Sequence, residues 1–536
     1  MPSPDARSVR SLSGSLATRF MQVGAIAVVL VAAPYKTFEL DRFFAPKELV
    51  LAVTALLTAL LCISRATRLS IGRADQFLIA AMALTGVSAG FATNPWLAER
   101  AVAVFAGGLA CLWCARSLSR AGYSHALVAA LALAGVAGAA TALLQAYGVR
   151  TDLFSLNRAP GGTFGNRNFM AHASAIALPA LVYSALRANS RGAYMRWCLG
   201  FAVVIAALIL SRTRAAWLAL LVGGAVFFLA GLVAMRTRDG TIALSRLTGL
   251  ALAGLLGAGA SLAMPNTLDW RSESPYMETA QSIVNYKAGS GRGRLVQYGN
   301  SARMALRHPI IGVGPGNWPV MYPRFASDND PSLGQDGMTA NPWPSSDWVT
   351  FLSERGIAAT LCLALAFTAI VLDAIRGLAS EPTTERRVGA AVLLSTLVIV
   401  IVVGAFDAVL LLPAPALIAW SLLGALAGPC RERASYTLTV PRRLMLSAIV
   451  CAAFGLAGVR SAAQVASMNF ASTATRTSAL ERASALDPGN FRLHMRIAER
   501  YGARGNCAKA RPHVAAAQRL FPYSPAVRRV ANACGG

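Results

Sequence analysis

The sequence predicts an all-α, polytopic membrane helical bundle of about thirteen spans, with one large extracytoplasmic loop and a small C-terminal helical-repeat domain. Three observations carry this. Across 536 residues, 55% are hydrophobic and only 14% charged, with a mean hydropathy of +0.51, a balance too apolar for a soluble chain of this length. The apolar residues gather in segments near 20–35, 48–64, 76–92, 101–115, 124–146, 169–186, 197–211, 215–235, 247–264, 348–375, 388–405, 413–428 and 443–460, most of them long enough to cross a bilayer as helices. Arginines then recur in alternate loops, as they do where those loops face the cytoplasm.

In chain order these features divide the sequence into an N-terminal transmembrane bundle (1–264), an extracytoplasmic loop (265–347), a C-terminal transmembrane bundle (348–462) and a helical domain (465–536). Arg7, Arg10 and Arg19 precede the first apolar run and no small-residue cleavage site follows it, so that run reads as an uncleaved span. The basic loops hold Arg65, Arg68 and Arg73; Arg116 and Arg120; Arg187, Arg191 and Arg196; Arg236, Arg238 and Arg246; Arg376, Arg386 and Arg387; Arg431, Arg433, Arg442 and Arg443. The loops between them are mixed in charge or rich in glycine, and the long central loop falls among these, outside the cytoplasm. The net charge of +26 is thus scattered between spans and forms no basic domain, which excludes a nucleic-acid partner. Cys62, Cys111, Cys114, Cys198 and Cys362 lie inside apolar spans. Cys111 and Cys114 make a CxxC by helical spacing, and without a second pair no metal site is predicted.

The interval from Met264 to Trp348 is the only long polar stretch between hydrophobic segments. Its core reads SGRGRLVQYGNSARMALRHPIIGVGPGNW, and from Lys287 to Arg307 it carries Lys287, Arg292, Arg294, Arg303 and Arg307 with no acidic residue. A helix is predicted over Arg294–Arg307, with Leu295, Ala302 and Leu306 on its apolar face and Pro309 ending it. Gly312, Gly314 and Gly316 then form a turn expected to present backbone N–H groups to an anion such as phosphate. No Gly-Lys-Ser/Thr follows and the spacing does not fit the dinucleotide fingerprint, so a nucleotide is not expected.

Beyond the last span the composition turns soluble. Pro488 and Pro522 lie 34 residues apart, the period of a tetratricopeptide repeat, and Ile497, Tyr501, Ala510 and Ala517 fall at its helix-packing positions. Such a hairpin offers a surface to a protein partner. The loop count puts it outside the cytoplasm, where a disulfide between Cys507 and Cys534 is compatible with the topology.

Three outer pieces converge in this topology: RAPGGTFGNRN (158–168), SRTRAAW (211–217) and the central loop. GTFGNRN, TRAAW, RLVQY, HPIIGVGPGNW and SSDWVTFLSERG, in this order over roughly residues 150–430, resemble the O-antigen ligase and polymerase superfamily, which includes bacterial protein O-oligosaccharyltransferases. The resemblance implies a multi-pass enzyme of the bacterial inner membrane with its central loop and C-terminus in the periplasm. It would take a glycan from undecaprenyl diphosphate and pass it to lipid A core, a protein hydroxyl or a growing polysaccharide, with neither metal nor cofactor. Carried over by position, Arg214 and Arg294 would hold the diphosphate and stabilise the charge that develops on it. Arg212, Arg292 and Arg303 compete for those roles, and Arg158, Asn166 and the three loop glycines complete the substrate-binding set. The chain departs from the pattern in one place. Where ligases of the family carry a His-Asn pair, nine and eight residues before the Glu of the Glu-x-Gly turn, it has Ser345 and Ser346, and serine is no base near neutral pH. Asp347 is then the expected proton acceptor, with a helix N-cap before Val349 as its other reading. His308 belongs to its His-Pro turn and His172 reads as a packed helix residue. A non-catalytic membrane scaffold presenting the repeat domain is the alternative function.

Overall fold

The structure, a computed structural model, describes residues 12–36, 40–234, 240–270, 272–281, 289–327, 329–334, 337–380, 383–427 and 433–533. It is all-α, apart from one two-stranded ribbon. The helices are α1 (Leu12–Leu30), α2 (Asp41–Arg65), α3 (Arg73–Gly90), α4 (Pro95–Leu118), α5 (Ser124–Ala146), α6 (Arg167–Leu186), α7 (Arg191–Ser211), α8 (Arg214–Ala234), α9 (Gly240–Ala263), α10 (Pro275–Gln281), α11 (Gly289–Arg307), α12 (Trp318–Met321), α13 (Asp347–Ser380), α14 (Thr384–Phe406), α15 (Pro413–Leu426), α16 (Val440–Ser472), α17 (Thr477–Leu486), α18 (Phe491–Gly502), α19 (Cys507–Leu520) and α20 (Pro525–Ala533).

Each apolar segment of the sequence coincides with one helix, α1 to α9 and α13 to α16. A bilayer leaves no water to satisfy backbone groups, so a long apolar run must close its own hydrogen bonds as a helix. Ten helical stretches among the described residues are long and apolar enough to cross a membrane, one of them, Pro95–Ala146, holding both α4 and α5. The chain is therefore a multi-pass helical membrane protein. Not every apolar helix is built alike. All residues of the short α15 are buried, which makes it a core helix, since one that is hydrophobic all round needs protein on every side. In contrast α8 and α9 turn Leu221, Phe228, Leu255 and Leu256 outward, as lipid-facing helices do.

Spans of the N-terminal and C-terminal parts interleave into one bundle: α16 packs along α2, α15 against α4, α13 against α3 and α14 against α8. Small residues allow the close approaches, as expected where lipid offers no hydrophobic drive for helix association. A Cβ added at Gly424 of α15 would stand 2.2 Å from the Leu112 carbonyl of α4. At one end of the bundle β1 (Arg68–Ile71) pairs antiparallel with β2 (Ala434–Thr437), Arg68 opposite Thr437. From there α2 and α16 run to the other end, where the central loop meets the C-terminal helices. Met338 packs among Phe491, Met495, Ala517 and Val527, and Arg324 donates to the Tyr523 hydroxyl at 3.4 Å. Ile497, Tyr501 and Ala510 share a core with Met468 and Leu480. Cys507 is disulfide-bonded; Cys534 lies outside the described residues, as do Lys287, Arg236, Arg238 and Arg431.

The helix α11 begins five residues before the predicted Arg294 and packs by a different face. Leu295 and Leu306 are exposed, while Gln297, Asn300, Ser301 and Met304 are buried. The polar face goes inward because each group on it finds a partner. Asn300 Nδ2 donates to Asp330 Oδ2 at 2.6 Å, Ser301 Oγ accepts from Trp318 Nε1 at 2.8 Å, and Gln297 Oε1 accepts from the Ser345 N–H at 2.7 Å. Buried polar groups so satisfied fix a helix in one orientation.

Candidate functional site

At the end of the bundle that carries α11 is a cavity of about 260 Å³. Four segments wall it: the Arg158–Phe169 loop running into α6, the first turns of α11, the 331–345 loop, and Asp407 where α14 ends. Gly293, Arg294 and Gln297 line it from α11, Gln297 lying four and three residues after the other two, one helical turn on and on the same face. Asn166 caps α6 by accepting from the Asn168 N–H at 3.0 Å and sets the loop's entry into that helix. Tyr298 braces the floor, its hydroxyl shared between the carbonyls of Ser345 and Ala405. Burial pushes this phenol up to about 12, so it stays a neutral donor.

The electrostatics are lopsided. Arg158 and Arg294 line the cavity against a single carboxylate, Asp407. Among the described residues Arg294 makes no hydrogen bond or ion pair, although it is half-buried. Arg214, first residue of α8, is half-buried beside it, and the two guanidinium groups repel each other. Arg212 ends α7 in the left-handed region at φ 52°, which turns its side chain away from α7 onto Thr279 Oγ1 at 2.8 Å and over the Trp270 ring at 4.7 Å. Arg167 lies over the same ring at 4.9 Å. Arg212 also meets Glu278 Oε2 at 3.9 Å, whereas Arg294 has no counter-ion among the described residues, and a half-buried cation so placed is costly to retain. An anionic ligand removes that cost.

Asp407 is the residue the sequence reading missed. Its Oδ1 accepts from the Ala408 N–H at 2.9 Å, its Oδ2 receives Asn168 Nδ2 at 3.4 Å, and His172 Nδ1 stands 4.0 Å from the same oxygen. His172 is 1% exposed and neither ring nitrogen has a hydrogen-bond partner, so a histidine taken as packing sits behind the only carboxylate of the cavity. A signal was present in the sequence: one acidic residue in the apolar run IVVGAFDAVLLL, which a membrane protein retains only for a reason.

The other expected residues divide. Arg158, Asn166 and Arg294 line one cavity, and Arg214 acts on it electrostatically. Arg292 is exposed and lines no wall of it. Arg303 is also exposed and donates to Asn300 Oδ1 and the Phe325 carbonyl. The expectation for Asp347 is corrected. Its side chain is fully buried outside the cavity, and its oxygens accept from the N–H groups of Val409 and Leu410 at 3.0 and 2.9 Å. With both oxygens so engaged it ties α13 to the turn after Asp407, away from the wall that Arg294 lines; Val349 N–H is capped by Ser346 Oγ instead.

The glycine turn is corrected too. Gly312, Gly314 and Gly316 adopt φ of 68°, 97° and 71°, but the N–H groups are already taken. Gly312 donates to His308 O and Gly314 to Glu354 O, while Gly316 N and Trp318 N hold the Glu354 carboxylate at 2.8 and 3.1 Å. The turn wraps an anion that the protein supplies itself.

Among the described residues no group of three His, Cys, Asp or Glu side chains is placed to hold a metal ion. Residues 199–364, from within α7 into α13, match the family model described as O-antigen ligase. That stretch takes in Arg212, Arg214 and Arg294 and leaves out Arg158 and Asp407. No curated protein matches the chain. In its central part this multi-pass membrane protein is similar to O-antigen ligases, a glycosyltransferase-like likeness in general terms.

Proposed function

We propose that the protein transfers a glycan from undecaprenyl diphosphate to a hydroxyl acceptor at the outer face of the bacterial inner membrane. The observation that carries the reading is Arg294, a half-buried guanidinium without a partner in a cavity where Arg158 and Arg214 reinforce its charge. A diphosphate supplies the missing anion, and arginine's planar fork suits its oxygens. In the reaction the acceptor oxygen forms a bond to the anomeric carbon of the first sugar as the bond from that carbon to the diphosphate oxygen breaks. The electron pair leaves with the diphosphate, where the arginines stabilise it. The acceptor proton passes to Asp407 and from there to solvent. Ser345 lines the same cavity, so Asp407 takes up the proton at a site where the family's histidine is absent.

In this reading the cavity and the C-terminal hairpins, a tetratricopeptide-like pair, face the periplasm. The acceptor is a glycolipid such as lipid A core, a glycan or a protein. A glycan profile of a deletion strain, covering lipopolysaccharide, capsule and glycoproteins, tests the function: one polymer or modification is expected to vanish, and an unchanged profile favours the scaffold. Arg294→Ala and Arg214→Ala are expected to abolish transfer at normal membrane abundance. Asp407→Asn should lower turnover by roughly 10²–10⁴, the usual share of a general base, with donor binding nearly unchanged. Full turnover in Asp407→Asn would remove the base from this scheme. Reporter fusions after residues 300 and 536 test the orientation, and a cytoplasmic signal from either overturns it.

A further inference from the structure

A second cavity, of about 230 Å³, shares Ala340 and Trp343 with the first as lining. It lies between the bundle and the C-terminal hairpin and has a different character. Its charged lining is four carboxylates, Asp41, Glu48, Glu354 and Asp487, against three guanidinium groups, Arg100, Arg355 and Arg492. Arg100 is bound to Glu48 and Asp41, both at 2.7 Å. The lining therefore has no surplus of cations to hold an anionic ligand.

What it offers is hydrogen-bonding capacity of both kinds. Arg355, 1% exposed, has no partner for Nε or Nη2, and Gln464, 6% exposed, has none for Oε1. Both side chains line the cavity. A hydroxyl answers to both, since it accepts and donates. Phe44, Trp96, Trp343 and Phe491 add flat apolar walls, the mixture of apolar surface and few placed polar groups that marks a binding pocket.

The hairpin is fixed in place over this cavity. Trp96 Nε1 donates to Asp487 Oδ1 at 2.6 Å, and Arg460 stacks on the Trp96 ring at 4.0 Å. Gly489 approaches so closely that an added Cβ would fall 1.9 Å from that ring.

We infer that this second cavity binds a neutral, hydroxyl-rich saccharide, the end of the acceptor, with the C-terminal hairpin as one of its walls. Only the word acceptor rests on the transferase reading; saccharide binding does not. The test displays the full-length protein in lipid nanodiscs to an array of neutral oligosaccharides and hydroxyl-bearing peptides. The wild type and Arg294→Ala should retain the same saccharides. Gln464→Leu should weaken retention about tenfold, the loss that accompanies one hydrogen bond, and Ala101→Phe, filling the cavity from α4, should abolish it. The inference is overturned if no saccharide is retained, if peptides alone are retained, if retention falls in Arg294→Ala, or if neither Gln464→Leu nor Ala101→Phe lowers it. None of those results bears on donor transfer, which the Asp407→Asn assay reads separately.

Discussion

Two regions of this protein carry the residues of an anion site, and only one of them is open. The glycine turn at 312–316 spends its N–H groups internally, with Gly316 N and the following Trp318 N held by the carboxylate of Glu354, a residue 2% exposed. Arg294, on the wall of the first cavity, has no such internal counterpart among the described residues. Donor chemistry alone therefore does not mark a ligand site. What marks it is whether the fold has already supplied the anion.

This contrast predicts opposite behaviour on substitution. Glu354→Gln removes the charge that holds the turn and leaves Arg355, which it meets at 3.3 Å, as a buried unpaired cation. Such a change costs about 3–5 kcal/mol, read as a large fall in the thermal unfolding midpoint in detergent. Arg294→Ala breaks no internal pair and should shift stability by no more than about 0.5 kcal/mol, while transfer is lost. Equal stability losses in the two variants would erase the distinction. Gly314→Ala ranks next. At φ 97° an L-residue costs of order 1–3 kcal/mol, and its Cβ would stand 2.5 Å from that of Ala92, so lower stability with donor binding intact is expected. Loss of donor binding in a stable Gly314→Ala protein would return the turn to the ligand site.

The same contrast explains what the sequence made legible. Apolar runs determine helices almost by themselves in a membrane, so all thirteen segments match helices, and Arg214 and Arg294, singled out by their place in the motifs, stand beside each other in the fold. The misreadings share one cause, a partner distant in sequence. The turn's anion is 38 residues beyond Gly316, Asp347 meets N–H groups 62 and 63 residues on, and the buried face of α11 is polar because Ser345 and Asp330 answer it. Asp407 escaped for another reason. It belongs to none of the recognised motifs, and its isolation in an apolar run was the only clue.

The smallest expected effect concerns a site that is closed in one protonation state only. In the C-terminal hairpin His494 Nε2 stands 3.0 Å from the Pro488 carbonyl, and its Nδ1 stands 3.0 Å from His513 Nδ1. The carbonyl can only accept, so His494 carries its proton on Nε2 and its Nδ1 accepts from His513. Protonating His494 would set two N–H groups head to head. Burial holds both imidazoles below their ordinary value of 6.5, with Arg519 opposing and Asp487 favouring charge on His494, and His494 opposing and Glu481 favouring it on His513. A histidine pKa depressed by folding contributes stability that is present above the unfolded value and is lost as pH falls through the folded one. The hairpin should therefore loosen below about pH 6.5. Hydrogen exchange over 477–520, corrected for intrinsic rates, is expected to show less protection at pH 5 than at pH 7.5, and His494→Gln should flatten the difference. Equal protection at the two pH values in the wild type, or the same pH dependence in His494→Gln, would show that the pair is no more open when charged than when neutral.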